Sequence, residues 1–271
     1  STNFSWRGFF VQANNLIMVQ GAPIVAQQIS AFDAYWGGTT ASFANSAAAD
    51  WRSLGVSGLD AKISMSPHSA THATQTTIAA DIDLAKGSLF YSLAFLSQTT
   101  GPVTEAIKQA AARADLFVYG MADKPTGFSL MQPGGNPVTM SPASLGAGLP
   151  EPFRSEAKGG SGVKMHHKFV VIDFNRPDAR VYSGSYNFSA PADTKNGENL
   201  LLIRDPRIAT SYMVEALRLF DSYQFRLAMK EAKQSGEPKV LKFPPKDATA
   251  KPWWDKYYND PVRIRDRQLF A

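Results

Sequence analysis

The sequence predicts an α/β sandwich, a mixed β-sheet flanked by helices. Three observations predict it: β-rich runs alternate with helical patterns, two adjacent β-rich runs read as a hairpin, and the opening segment repeats the segment that follows the hairpin. The repeat adds that a complete protein has two such lobes. Residues 1–50 read as the trailing part of a first lobe, 51–232 as a second lobe, and 233–271 as a C-terminal extension packed on the body.

In chain order, Asn15–Val19 reads as a strand and Pro23–Trp36 as a helix, with Ile24, Ile29, Phe32 and Trp36 as its apolar positions. Gly37-Gly38 ends that helix. Residues 39–58 are small and polar and read as an inter-lobe connection. Lys62–Ser66 is a strand, followed by His68 and His72 at helical spacing. Such a pair suits a metal, but with no third ligand evident the two are read as loop or cap histidines. Thr76–Ala85 is a helix, Ser88–Leu96 a buried strand, Thr104–Ala114 an Ala-rich amphipathic helix and Leu116–Tyr119 another strand. Pro125–Pro150 carries no charge but holds Phe128, Leu130, Met131 and Met140, and it leads through Gly159–Gly162 to His166, so it reads as a loop bordering a cleft. Lys168–Asp173 and Arg180–Ser185 are strands joined by the turn Asn175–Asp178. Asn199–Ile203 is a further strand and Ile208–Ala232 a long helix. The tail is rich in Lys and Pro, then in Trp253, Trp254, Tyr257 and Tyr258, read as rings packing on the body rather than as a lipid-interface anchor.

Composition sets bounds. The 271 residues are 44% hydrophobic and 19% charged, enough for a core in one large or two smaller domains. A net charge of +5 is mildly basic and does not demand nucleic acid. The absence of cysteine excludes disulfides and thiolate chemistry, and no apolar run of membrane-spanning length occurs.

The hairpin carries the chemistry. His166, Lys168 and Asp173 form H-x-K-x4-D, followed by Gly184, Ser185 and Asn187 as G-S-x-N. Histidine serves as a nucleophile or proton carrier near neutral pH. Lysine is a point charge for phosphate oxygens, and Ser and Asn add neutral hydrogen bonds. Pairing of the two strands brings His166 and Lys168 near Ser185 and Asn187, while Asp173 lies beyond the apolar run and reads as an anchor of the far end. His167 points to the opposite face and takes a structural role.

This string resembles the HKD motif of the phospholipase D superfamily, residue by residue. Glu198, eleven residues past Asn187, matches the acidic residue that members use to orient the histidine. The repeat fits the resemblance. At a shift of 184 residues, Ser1, Asn3, Phe4 and Ser5 fall on Ser185, Asn187, Phe188 and Ser189, Asn15-Leu16 on Asn199-Leu200, Ile24 on Ile208 and Trp36 on Phe220. The chain thus opens inside a G-S-x-N motif whose His, Lys and Asp belong to an N-terminal portion of the protein. Asn14 stands where Glu198 stands in the second copy.

The resemblance implies phospholipase D-type hydrolysis of a phosphodiester through a phosphohistidine, with possible transfer to alcohols. Two-motif relatives use the N-terminal histidine as nucleophile, which makes His166 the general acid/base and Glu198 the group that keeps it protonated. Lys168, with Ser185, Asn187, Ser1 and Asn3, would hold the phosphate oxygens. No metal or cofactor is called for, because two lysines supply the charge. The implied partners are a phospholipid at a membrane or micelle surface and the N-terminal portion carrying the first His-x-Lys. The alternative is a nuclease of the same superfamily. The uncharged loop favours phospholipid, since a nuclease cleft should be lined with Lys and Arg.

Overall fold

The computed structural model describes residues 1–70, 73–124, 139–140, 165–237, 240, 242–247 and 249–271. Eight strands form one mixed sheet in the order β1-β2-β8-β7-β6-β3-β4-β5. They are β1 Arg52–Ser53, β2 Asp60–Met65, β3 Ser88–Leu93, β4 Phe117–Met121, β5 Thr139–Met140, β6 Lys168–Ile172, β7 Arg180–Gly184 and β8 Asn199–Arg204. The run from β2 through β8, β7 and β6 to β3 is antiparallel, and β4 and β5 add parallel to β3. The expected hairpin is β6–β7, paired from Phe169↔Ser183 to Ile172↔Arg180.

Helices cover both faces, and the alternation of each strand assigns its side chains to one face or the other. On one side Ile78 and Ile82 of α4 (Ala73–Asp83) and Val103 and Ile107 of α5 (Pro102–Ala111) bury Leu89, Tyr91, Val170 and Ile172. On the other, α7 (Pro206–Ser235) lays Ala209, Met213 and Ala216 over Phe90, Phe169, Val171 and Leu201, joined by Ile24 of α2 (Ala22–Gly37) and Phe43 of α3 (Thr40–Ala44). Residues 39–58, expected as a connection, therefore hold a short helix and the edge strand β1, with Phe43 and Leu54 in the core. No helix among the described residues is long and apolar enough to cross a membrane.

The repeat is visible in three dimensions. Helix α1 (Trp6–Phe10) and helix α6 (Ala190–Thr194) lie 184 residues apart at both ends, as do the first residues of α2 and α7. Ser5 caps α1 by accepting the Gly8 N–H at 3.1 Å, and Ser189 caps α6 by accepting that of Ala192 at 3.4 Å. The Ser1 nitrogen donates to the Asn15 carbonyl at 3.1 Å, and the Ser185 N–H to that of Asn199 at 3.1 Å. The copies diverge where packing is concerned. Ala209, Met213, Ala216 and Phe220 of α7 are buried, whereas their equivalents Val25, Ile29, Phe32 and Trp36 of α2 are exposed; Phe220 is 3% and Trp36 84% exposed.

The same contrast corrects two expectations. Of the apolar positions expected in the first helix, only Ile24 is buried. Asn15–Val19 is not a strand: an isolated bridge joins Ala13 to Met165 just before it, and the stretch itself has no ladder partner among the described residues. Its second-copy equivalent is β8, which pairs on both edges. A strand exists only where neighbours take up its backbone groups, and propensity alone does not make one.

The tail forms α8 (Asp255–Asn259) and α9 (Pro261–Leu269). It docks through Phe270, whose ring lies 5.2 Å from Phe117 and 5.8 Å from Phe174, while Trp253 and Tyr258 stay exposed. The uncharged segment 125–150, apart from β5, lies outside the described residues, as do Gly159–Gly162 and His72.

Candidate active site

The site is built at the start of β6. The His166 N–H donates to the Ala13 carbonyl at 2.8 Å and the Met165 N–H to Asp123 Oδ1 at 2.9 Å, which fixes the entry to the strand. His166 and Lys168 then project on one face and His167 on the other. His166 Nδ1 lies 2.9 Å from the Ser1 carbonyl, which can only accept, so the proton sits on Nδ1 and the lone pair on Nε2. Lys168 Nζ lies 3.1 Å from Nε2 and 3.1 Å from the His166 carbonyl. Phe95, just past β3, walls the pair: its ring meets the imidazole edge-on at 5.9 Å and lies 5.6 Å from Lys168 Nζ.

Burial sets the charges. It pushes His166 down to about 4, with the Lys168 cation as the second cause. It also pushes Lys168 down to about 8, against the opposing pull of the Glu198 carboxylate. The expected arrangement, with Glu198 holding His166 protonated, is corrected by this geometry. Glu198 Oε1 instead accepts from Asn187 Nδ2 at 3.5 Å and Asn196 Nδ2 at 3.3 Å, and its charge acts on Lys168. The imidazole is neutral and is oriented by a backbone carbonyl.

The remaining expected residues divide. Ser1 is at the histidine, with its Oγ 2.8 Å from Asn15 Oδ1. Asn3 is exposed, and among the described residues its hydrogen bond is through its carbonyl, which accepts from the Ser5 N–H. Ser185 Oγ accepts the Asn199 N–H at 3.0 Å. The Asn187 amide hydrogen is given to Glu198, and its buried Oδ1 has no partner among the described residues. Gly184 is required by close approach, since a Cβ there would strike the Asn199 carbonyl. Asp173 lies just past the end of β6. Fully buried at φ 54°, it accepts from the backbone N–H groups of Lys86 (2.9 Å), Gly87 (2.7 Å) and Ser88 (3.0 Å), tying β6 to the start of β3.

His68 is a loop histidine. Its Nε2 lies 2.9 Å from Ser64 Oγ and its Nδ1 3.3 Å from Asp193 Oδ1, and Asp193 also accepts from the Tyr186 hydroxyl at 2.6 Å. This resembles a Ser-His-Asp triad, but Ser64 is buried and gives its hydrogen to the Ala49 carbonyl rather than to His68, so it has neither access to a substrate nor a base taking its proton. No group of three or more metal-ligating side chains is found among the described residues.

Residues 78–220, just over half of the chain, match the family described as cardiolipin synthase, PLD-like domain. The chain belongs to the phospholipase D-like family. That segment runs from α4 to the Phe220 position of α7 and contains the whole His166–Asn187 string. Among curated relatives of this phospholipase D-like chain, the phospholipase D of Rickettsia conorii is 42% identical over 48 residues, 18% of this chain and 22% of the relative. The mitochondrial cardiolipin hydrolase of Danio rerio is 32% identical over 62 residues, 23% of this chain and 26% of the relative. The matches thus span about a quarter or less of those proteins. Two solved structures are also similar. Nuc from Salmonella typhimurium, described as a phospholipase D family member, has 20% identity and a TM-score of 0.36, covering 63% of this chain and 95% of that one. NucT from Helicobacter pylori has 20% identity and a TM-score of 0.42, covering 60% and 97%.

Proposed function

We propose that this chain supplies one half of a phosphodiesterase site and acts on phospholipid, hydrolysing its phosphodiester and passing the phosphatidyl group to water or an alcohol. The observation that carries the reading is the buried His166–Lys168 pair, held beside the Ser1 carbonyl by the repeated segment. The names of the relatives, phospholipase D and mitochondrial cardiolipin hydrolase, favour lipid as substrate.

The exposed stripe Val25-Ile29-Phe32-Trp36 supports a preceding lobe. In α7 the equivalent residues lie on a sheet, so α2 fits a second sheet of the same design, and Leu16–Val19 fits the place of β8 within it. That lobe would supply the other histidine and lysine.

In the proposed reaction one histidine attacks phosphorus and the P–O bond to the head group breaks. The other protonates the leaving oxygen, then takes a proton from water, whose oxygen displaces the first histidine. His166 enters neutral with Nε2 as the reacting nitrogen. In the proton-carrying role it loads its proton with the substrate, because a phosphate beside Lys168 offsets the cation that depresses the ring. Lys168 holds the equatorial oxygens and must be charged to do so.

Phosphatidylcholine and single- and double-stranded DNA, offered side by side with EDTA present to the chain together with the N-terminal portion carrying the first His-x-Lys, test the reading. Choline release without DNA cleavage is expected. DNA cleavage with steep salt dependence and no lipid turnover would replace it with the nuclease reading.

A further inference from the structure

Two adjacent histidines on opposite faces of the chain hold the same segment. His166 Nδ1 meets the Ser1 carbonyl at 2.9 Å, and His167 Nδ1 meets Asn15 Oδ1 at 3.1 Å. Ser1 and Asn15 are joined to each other through Ser1 Oγ at 2.8 Å and through the Asn15 carbonyl. The Asn15 amide donates to the Tyr212 hydroxyl at 2.8 Å and to Ser183 Oγ at 3.2 Å. The other nitrogen of His167 meets Glu215 Oε1 at 3.1 Å, and Arg218 fixes Glu215 through contacts of 2.8 Å to each carboxylate oxygen.

We propose that His167 is a positioning residue: it ties Glu215 on α7 to Asn15, and through Asn15 sets the Ser1 carbonyl that orients the reactive imidazole of His166. The proposal rests on the reading of His166 as the reacting histidine. The geometry gives His167 a task that few side chains can do. It is fully buried, its two nitrogens face opposite ways across a rigid ring, and each lies within hydrogen-bond distance of an acceptor oxygen, so both bonds are made when the ring carries both protons. Glutamine would reach one partner, and an aliphatic residue neither. A buried tether with one end removed leaves a polar group unpaired, so the Ser1 segment relaxes away from His166. Displacements of about 1 Å at a reacting group cost about a hundredfold in rate.

The test uses His167→Ala, Asn15→Ala, their double variant and Glu215→Gln, with two readouts. One is the nitrogen NMR signature of His166, which reports the proton on Nδ1. The other is kcat and KM on bis(p-nitrophenyl) phosphate. Each single variant is expected to lose the single-tautomer signature and to lower kcat about a hundredfold with KM nearly unchanged. The double variant should be no worse than the worse single, because both cut one tether. Effects that multiply would overturn the proposal. So would a fall in Tm with the His166 tautomer and kcat intact, which is the behaviour of a purely structural residue. Should His167→Ala fail to fold, Glu215→Gln, which keeps the volume, decides the same question. If the wild type hydrolyses no diester, the activity reading fails by itself and the tautomer signature still decides the tether.

Discussion

Replacing Lys168 by methionine removes the second largest of the causes that hold His166 at about 4. The drop from the ordinary value of 6.5 corresponds to about 3 kcal/mol at 1.36 kcal/mol per unit. Burial is the larger cause and survives the substitution, so the ring should recover less than half of the drop and titrate near 5. NMR titration of the ring protons measures this directly, helped by there being only four histidines in the chain. The sign for stability follows by linkage. The unfolded ring takes its proton below about 6.5 and the folded ring only near 4, so stability falls as pH drops through that window, and the variant should lose less of it. Lys168 works the other way round. Its folded value of about 8 lies below the ordinary 10.5, so the wild type gains stability as pH rises from 8 to 10.5, and at pH 7 it carries a penalty of up to about 3 kcal/mol. Lys168→Met should therefore be more stable than wild type at neutral pH and inactive. A His166 value that stays near 4, or returns fully to 6.5, would refute the division between burial and charge.

Other outcomes follow from the same geometry. Asp173→Ala leaves three backbone N–H groups without their acceptor and should cost about 3 kcal/mol in denaturant unfolding, yet leave kcat of the folded protein unchanged; a collapse of kcat with the fold intact would make Asp173 catalytic. Inorganic phosphate should raise the His166 value well above 4, read by the same titration, if the anion sits against Lys168. Phe220→Ala should cost about 3–5 kcal/mol, whereas Trp36→Ser should change the unfolding free energy of this chain by about 0.5 kcal/mol or less. A large loss from Trp36→Ser in the isolated chain would contradict the proposed cover over α2.

The hairpin β6–β7 and the helices α4, α5 and α7 were legible because alternation and helical spacing report the buried face. The repeat was legible at single-residue register, and the aligned Ser5 and Ser189 prove to be equivalent helix caps in the structure. What was not legible depended on partners. Asn15–Val19 has the side chains of a strand but no neighbours to pair with among the described residues. The orienting partner of His166 is a carbonyl of Ser1, and a main-chain oxygen leaves no trace in residue identity, so the acidic Glu198 drew the assignment instead. Glu215, Asn15 and Phe95 carry no motif. They reach the two histidines only through helix packing, the Ala13–Met165 bridge and the end of β3.

The most direct measurement is choline release from phosphatidylcholine by the wild type and by His166→Ala, each together with the N-terminal portion carrying the first His-x-Lys, with matched circular dichroism. The account predicts turnover by the first and none above background by the second. Hydrolysis by His166→Ala at the wild-type rate would contradict it.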